Sequence, residues 1–479
     1  MKKNANANVA TSADDKKWDD IRATYGDEVE KALRALYDYY DGPGIAEWIA
    51  SLYDPKTGGF YYCKSARDTE GYLPDLESTQ QALSVLAEVG AVPGEKLNEM
   101  LPQKIKAKIV DFVRDRQSPV DGYFYHPQWP QGKENLNTDR YGRDIGNAGS
   151  VFRRVQCDRT GSGIDEQQYP KYCMVNGRKC ACHEGTNDSC TFPIGDFPAV
   201  SAPASNEHPE AKKSTENHPD YTSESAFLAW LDVYNATIHT NSGRAHNLAA
   251  LIEEIRAHGY ENVLIDYLNE KQKELFDEQV RLGEAPTGIW QRNIDYKAVW
   301  GTYKYLYIYN LVGRAIDLKY VPYMVDSCIA VINLPPLKNY AYNDLMNQWQ
   351  AITGIITNVR KHYGDEEADK IHARVRENAA HLVANSLEKM LPFKMDDGSF
   401  CNSVKGVTTN IIYGVPIAVG GLAEGNVNST HILLCMYFAI CRVLGCPAIP
   451  LTDVSVGMAA VKAMEAAELN YQKNNCANA

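Results

Sequence analysis

Residues 432–440 (ILLCMYFAI) and residues 298–312 (AVWGTYKYLYIYNLV) are the two stretches that decide the fold. Both are predicted to be helices that are apolar on nearly every side, with large side chains such as Trp300, Leu306 and Tyr309 spread around the axis. A helix that lacks a polar face is buried against neighbours all round. These two stretches therefore predict central helices of a large core.

Helices of a second kind carry a single apolar stripe. Residues 96–116 place Ile105, Ile109, Phe112 and Val113 on one face, and residues 366–389 repeat the pattern. Such helices keep one face in water. Because buried and one-sided helices alternate with almost no strand-like periodicity, we predict an all-α fold, a double-walled ring of five or six antiparallel hairpins built from about eleven or twelve helices.

A short phrase that joins a turn-forming glycine to an aromatic residue precedes several predicted helices. Its four copies are Gly58-Gly59-Phe60, Asp121-Gly122-Tyr123-Phe124, Gly288-Ile289-Trp290 and Asp397-Gly398-Ser399-Phe400. Outside the interval that contains a long insertion, the copies are one or two hairpin lengths apart, which is typical of an internal repeat. We expect each copy to mark a turn toward the centre of the fold.

Two of these phrases are followed by helix starts of matching chemistry. Residues 74–79 (PDLEST) and residues 424–430 (EGNVNST) both place a carboxylate ahead of a Ser-Thr pair that enters an apolar helix. The recurrence predicts that repeated hairpins present polar helix starts to one central cleft.

In these features the chain resembles the α/α-toroid superfamily, which includes six-hairpin glycosidases, several polysaccharide lyases, terpenoid cyclases and prenyltransferases. The resemblance covers most of the chain outside the insertion and lies in the layout and the short phrases. Residues 74–77 (PDLE) lack the paired aspartates of the terpenoid cyclases, and the Asp, Cys and His zinc ligands of the prenyltransferases have no convincing counterpart. The resemblance therefore implies carbohydrate chemistry more than terpenoid cyclisation or prenyl transfer.

The chain is predicted to hold one toroid domain over residues 26–473, between a polar segment at 1–25 and a short tail at 474–479. Residues 131–220 are rich in Gly, Pro, Asn, Ser and charge, without helical periodicity. We expect this stretch to be an inserted loop or a lid over the cleft, since long loops in compact folds are usually functional or disordered.

Composition narrows the partners. The net charge is −12 and there is no long Lys/Arg run, so we expect no nucleic-acid partner. No window approaches the roughly 20 apolar residues that span a bilayer, and the polar start has no export signal, so a cytoplasmic location without a membrane partner is expected. The 30 Tyr and 7 Trp fit ordinary core packing first and sugar binding second. The oligomeric state is not predicted.

The twelve cysteines fall into two groups. Cys328, Cys435 and Cys441 lie singly in apolar helices and are expected to be small buried thiols. The second group crowds into a polar stretch with His183 and consists of Cys157, Cys173, Cys180, Cys182 and Cys190. Its spacing matches no two-pair zinc pattern, so unliganded thiols are the first interpretation, with a zinc site or local disulfides as alternatives. No metal or cofactor is predicted.

Hydrolysis of a glycosidic bond needs a protonated carboxyl group for the leaving oxygen and a carboxylate that activates water or attacks the sugar. The predicted helix starts supply Asp75, Glu77 and Glu424, and the next repeat supplies Asp121. We predict that Glu77 is the acid and that Asp75 or Glu424 is the base. The alternative role of each carboxylate is to stabilise the helix dipole, by about 0.3–1 kcal/mol.

Candidate substrate-binding residues are aromatic, amide and basic side chains near the same turns. The set is Arg67, Tyr125, His126, Trp129, Trp290, Lys297, Asn426 and Asn428. Residues 121–130 (DGYFYHPQWP) are predicted to form a sugar-binding rim or, alternatively, a plug that anchors the insertion. Solvated loop charge is the alternative role of Arg67.

Two other functions stay open. In a polysaccharide lyase, Tyr125 or His126 would remove the proton beside a uronate carboxyl group. The residues that could neutralise that carboxyl group are Asn426, Asn428, Arg67, Arg292 and Lys297. The negative net charge disfavours a polyanionic substrate through long-range repulsion. The other possibility is a non-catalytic toroid that binds glycans or proteins through its aromatic rim.

Overall fold

The computed structural model describes residues 12–89, 97–116, 124, 126–127, 138–155, 219–404, 406, 411–412 and 415–477. The all-α prediction is confirmed, because these residues form eighteen α-helices, a 3-10 helix at Leu391–Phe393 and one two-stranded antiparallel ribbon. The helices are α1 (Ser12–Tyr25), α2 (Asp27–Tyr39), α3 (Gly42–Ser51), α4 (Lys64–Asp68), α5 (Leu76–Glu88), α6 (Leu97–Met100), α7 (Gln103–Arg114), α8 (Thr138–Arg154), α9 (Glu224–Tyr234), α10 (Gly243–Ala257), α11 (Glu261–Leu282), α12 (Tyr296–Val312), α13 (Val321–Asn333), α14 (Asn343–Tyr363), α15 (Asp365–Arg376), α16 (Ala379–Met390), α17 (Val427–Leu444) and α18 (Val454–Ala477). The strands are β1 (Ile411–Ile412) and β2 (Val415–Pro416).

Six helices contact one another in a closed succession that runs α5, α8, α10, α12, α14, α17 and back to α5. We call these the ring helices. Gln81 of α5 meets Asn428 near the start of α17, and Glu88 at the end of α5 meets Cys435 further along α17. These two neighbours are therefore parallel, and their N-terminal ends lie on the same side of the ring.

The helices that alternate with the ring helices along the chain pack across pairs of them. α11 contacts α10 and α12, α13 contacts α12 and α14, and α15 contacts α14 and α17. Their composition fits this position: α7 buries Ile105, Ile109 and Val113, while Lys104 stays exposed on the opposite face. A single apolar stripe suits a helix with one neighbour layer and one face in water.

Both stretches predicted to be central helices lie in the ring, as α12 and α17. α17 buries most of its length, including Leu433, Tyr437 and Ile440. α12 is buried around Tyr305 and Tyr309 but leaves Tyr307 47% exposed. The prediction therefore holds for α17 and for all but one side of α12.

Several predicted boundaries differ from the structure. The single helix predicted over residues 366–389 is two helices, α15 and α16, which break at Glu377 and Asn378. The insertion predicted over residues 131–220 contains a ring helix, α8, which buries Val151 and Phe152. The N-terminal segment predicted to be polar contains α1, whose Trp18 is buried in the core. The described helices also outnumber the eleven or twelve expected, because short helices lead into longer ones.

The glycine-aromatic phrase is a structural repeat. In two copies the backbone N–H of the aromatic residue donates to a threonine hydroxyl in the first turn of the following helix. Phe60 donates to Thr79 Oγ1 and Phe400 donates to Thr430 Oγ1, each over 3.0 Å. Gly58 has a φ of 89°, which only glycine adopts readily. A Cβ at Gly58 would also meet the carbonyl oxygen of Lys108 at 2.5 Å. Residues 121–123 of the second copy lie outside the described residues.

α17 is the one described helix that is long and apolar enough to cross a membrane, with a mean hydropathy of 1.5 over 18 residues. This departs from the expectation that no window comes near that length. The helix is 67% buried within the protein and contacts α5 and α14, as a core helix does. Cys328 and Cys441 are free and buried as predicted, whereas Cys435 is only half-buried.

Candidate functional site

The starts of α5 and α17 share one local structure. Thr79 and Thr430 accept the same kind of hydrogen bond, so the two helices can be aligned at these residues. In this alignment Asp75 corresponds to Asn426 as the N-cap residue, and Glu77 corresponds to Asn428. Glu424 therefore does not match Asp75, as the sequence comparison had assumed, but precedes the N-cap by two residues.

Glu77 is held inside the ring by an amide network. Its side chain is fully enclosed, at 0% exposure, and its Oε1 accepts from Gln81 Nε2 over 3.3 Å. The same Gln81 Nε2 donates to Asn428 Oδ1 over 3.0 Å, and Asn428 Nδ2 donates to the Tyr342 hydroxyl over 2.8 Å. The network joins the starts of α5, α17 and α14, and each of its four side chains is buried.

Asp75 lies in a different environment, against the end of α7. Its Oδ1 is 4.0 Å from His126 Nε2, and both side chains are buried. Arg116 lies close by and donates to the Pro74 carbonyl over 3.2 Å. Burial lowers the pKa of Arg116 to about 10, and the charge of Asp75 is the first to oppose that change. Asp75 thus balances buried positive charge, and His126 lies in this cluster instead of on an open rim.

Glu424 fastens a loop. The half-buried carboxylate accepts from the Ser65 N–H over 3.0 Å and from the Ser65 hydroxyl. Arg67, two residues further on, pairs with Asp68 and donates to the Ser51 carbonyl over 2.9 Å. Both residues predicted to act on substrate therefore hold the segment around α4 in place.

Two further predicted binding residues have structural partners. Trp290 is 0% exposed and donates from Nε1 to the Leu268 carbonyl over 2.8 Å, so we assign it to the core. Asn426 caps α17, with Oδ1 accepting from the Ser429 N–H over 2.9 Å. Three other predicted site residues, Asp121, Tyr125 and Trp129, lie outside the described residues.

A charged or amide side chain occupies the second position of every ring helix, Asp139 on α8 and Arg244 on α10 included, and four of these residues lie on consecutive helices of the ring. They are Glu77 on α5, Lys297 on α12, Asp344 on α14 and Asn428 on α17. We call these four residues the polar crown. Lys297 is solvent-exposed and lies close enough to Asp344 for its charge to act on that carboxyl group. The polar crown therefore consists of two carboxyl groups, one cation and one amide on consecutive ring helices.

The pKa of Asp344 is raised above its ordinary value. Burial raises the pKa of Asp344, although the Ala341 N–H, which donates to Oδ2 over 2.9 Å, and the charge of Lys297 both oppose the rise. A carboxyl group with a raised pKa keeps its proton nearer to neutral pH and can act as a general acid.

Sequence reasoning missed Asp344, Gln81 and Tyr342. α14 begins without the glycine-aromatic phrase, so nothing in the sequence marked its first turn as part of the repeat. Gln81 lies one turn beyond Glu77, a spacing that places both on one helix face, and this was the available signal.

Comparison of the chain with protein-family models, curated proteins and solved structures finds no match.

Proposed function

We propose that the protein is a glycoside hydrolase on an α/α toroid, in which Asp344 is the general acid and Glu77 is the general base. The closed succession of six ring helices, with other helices packed across them, supports the toroid. The observation that carries the function is the polar crown, where a carboxyl group of raised pKa and an enclosed carboxylate occupy the same position on two ring helices.

In the proposed reaction, Asp344 donates its proton to the glycosidic oxygen as the bond to the anomeric carbon breaks. Water attacks that carbon and gives a proton to Glu77, a step that requires the buried network of Gln81 and Asn428 to open toward the substrate. Exchange with solvent then returns both carboxyl groups to their starting states. Lys297 and Asn428 supply hydrogen-bond donors for sugar hydroxyls beside this pair. In this proposal Asp344 takes the acid role predicted for Glu77, and Glu77 takes the base role predicted for Asp75 or Glu424. Asp75 and Glu424 instead hold neighbouring segments in place through their contacts with buried positive charge and with Ser65.

A panel of neutral and acidic oligosaccharides, with products read by mass, tests the class of reaction. We expect one product pair whose summed mass exceeds that of the substrate by one water. Elimination, with the absorbance of an unsaturated uronate, would identify a lyase instead. Binding of a glycan without any product would identify a non-catalytic binding module. Either of the last two results would overturn the proposed hydrolysis.

Two conservative variants test the residues. Glu77→Gln and Asp344→Asn keep side-chain size but remove acid-base function, and we expect turnover to fall by at least about 100-fold while glycan binding stays. Glu424→Gln is the matched control, because it changes a nearby carboxylate that contacts Ser65 and should keep turnover. Full turnover in both crown variants would exclude the assigned roles.

A further inference from the structure

A second cluster of side chains converges between two ring helices, at the end of α5 opposite the polar crown. Glu88 is the last residue of α5, and His431 and Cys435 lie one turn apart on the neighbouring helix α17. His431 Nε2 is 3.4 Å from Glu88 Oε1, and Cys435 Sγ is 3.5 Å from the same nitrogen. Cys435 Sγ is 3.7 Å from each Glu88 oxygen. One carboxylate, one imidazole and one thiol thus surround a common point.

These distances match the edges of a tetrahedral metal site. Ligand atoms at about 2.0–2.3 Å from a zinc ion are separated from one another by roughly 3.3–3.8 Å in a tetrahedron. The three observed separations fall within this interval, and the potential ligand atoms all lie within 4.8 Å of one another. The cluster could therefore bind an ion with little movement of its side chains.

The same geometry argues against a nucleophilic cysteine. In a catalytic triad the nucleophile and the orienting carboxylate contact different nitrogens of the histidine. Here Cys435 and Glu88 both approach Nε2 of His431. Convergence on one nitrogen places all three groups around a single point, as metal ligation requires.

The ligand types favour zinc-like ions. Thiolate and imidazole select zinc and similar transition metals, whereas calcium and magnesium prefer sites made only of oxygen. Three protein ligands leave one tetrahedral position for water or substrate, which is typical of a catalytic zinc site.

The cluster borders accessible space and a positive charge. The side chains of His431 and Glu88 keep 16% and 24% exposure although both lie on ring helices. Arg154 of α8 interacts electrostatically with Glu88 and Cys435, and its buried Nε has no hydrogen-bond partner among the described residues. With a divalent ion, the Glu88 carboxylate, a Cys435 thiolate and the Arg154 guanidinium, the site would carry one net positive charge. It would therefore favour an anionic fourth ligand.

We propose that Glu88, His431 and Cys435 form a binding site for a zinc-class transition-metal ion between α5 and α17. The site is separate from Glu77 and Asp344 and does not depend on their assignment. It also differs from the sequence-based expectation that the protein binds no metal, and from the alternative of zinc bound among Cys157, Cys173, Cys180, Cys182 and Cys190.

Cobalt binding tests the site directly. Full-length protein treated with a chelator and then titrated with Co²⁺ should develop the thiolate-to-cobalt charge-transfer band and the visible bands of a tetrahedral site, saturate at one ion per chain, and lose both on addition of Zn²⁺. Cys435→Ser should abolish the charge-transfer band. Cys441→Ser, a matched change on the same helix, should keep it, and so should a variant with serine at the five cysteines between residues 157 and 190.

The ligand variants should differ in affinity as well as in spectrum. We expect Glu88→Gln and His431→Ala to weaken Zn²⁺ binding by more than the roughly 10- to 100-fold that loss of an outer-shell partner costs. Glu77→Gln should leave Zn²⁺ affinity unchanged, which separates this site from the proposed hydrolase site. Absence of a charge-transfer band in the wild-type protein, or its persistence in Cys435→Ser, would overturn the proposal.

A protection experiment on the wild-type chain avoids any folding defect of the variants. Zn²⁺ should protect Cys435 from alkylation, as measured by peptide mass, while the alkylation rate of Cys446 stays the same. Equal alkylation of Cys435 with and without Zn²⁺ would contradict the site.

Discussion

Gln81 Nε2 on α5 donates to Asn428 Oδ1 on α17 over 3.0 Å, and it thereby ties the starts of two ring helices together. The two residues are 347 positions apart in the chain. Their contact closes the ring between its last helix and its first, beside the enclosed carboxylate of Glu77. The Gln81 amide therefore contributes both to the packing of these two helices and to the position of the proposed base.

Replacement of Gln81 tests this link. Gln81→Leu removes a donor to Glu77 and to Asn428, and a buried polar group that loses its partner typically costs about 1–3 kcal/mol. We expect the free energy of unfolding, measured with denaturant, to fall by that amount. Gln103→Leu, an exposed position on α7, is the control and should change stability by no more than about 0.5 kcal/mol. Equal effects of the two changes would refute the structural role of Gln81.

The charge of Lys297 should set the pH range of activity. It lowers the pKa of Asp344, against the larger effect of burial. Lys297→Met should therefore raise the pKa of Asp344 further, and the alkaline limb of the kcat/KM profile should move to higher pH. An unchanged limb, or one displaced to lower pH, would show that Asp344 is not the group that titrates there.

The ionised form of Asp344 should lower the free energy of unfolding at neutral pH. Its folded-state pKa lies above the reference value of 3.8, so the folded protein holds this proton more tightly than the unfolded chain does. That stabilisation is present below the unfolded pKa and is lost as pH rises through the folded pKa. Asp344→Asn should therefore gain thermal stability relative to wild type as pH increases from 3.8 toward neutrality. A gain that is the same at every pH would contradict the titration of this residue.

The repeated turn makes a prediction about glycine. Gly58→Ala imposes a positive φ on alanine, at roughly 1–2 kcal/mol, and adds the clash with the Lys108 backbone. Gly71 has a φ of 93° but open space around its Cα. Gly71→Ala therefore costs only the free energy of placing alanine at a positive φ, without a clash. We expect Gly58→Ala to lower the unfolding midpoint by clearly more than Gly71→Ala does. Equal midpoints would show that the Gly58 turn does not pack against α7 as described.

The fold could be predicted where composition alone decides burial. The all-round apolar character of α17 leaves it no position but the core, and the stripe of α7 requires one wet face. α8 was not predicted, although TDRYGRDIGNAGSVFRR spaces Ile145, Ala148 and Phe152 at the three- and four-residue intervals of a helical stripe, because the glycines and charges between them give the stretch the composition of a loop.

The site was predicted only in part, because the two helix starts were aligned by the wrong residues. Glu77 and Asn428 were found because each lies in a marked helix start. Glu424 was matched to Asp75 by counting carboxylates before a Ser-Thr pair, whereas the hydrogen bonds of Thr79 and Thr430 align Asp75 with Asn426. Alignment of repeats by side-chain chemistry can therefore be wrong by two residues when the N-cap changes from an acid to an amide.

Oxygen transfer from water tests the central claim most directly. An oligosaccharide incubated with wild-type protein in water enriched in heavy oxygen should gain one labelled oxygen at the new reducing end, and Asp344→Asn should abolish this incorporation while Glu424→Gln keeps it. Products without the label, or equal labelling by wild type and Asp344→Asn, would contradict hydrolysis at the polar crown.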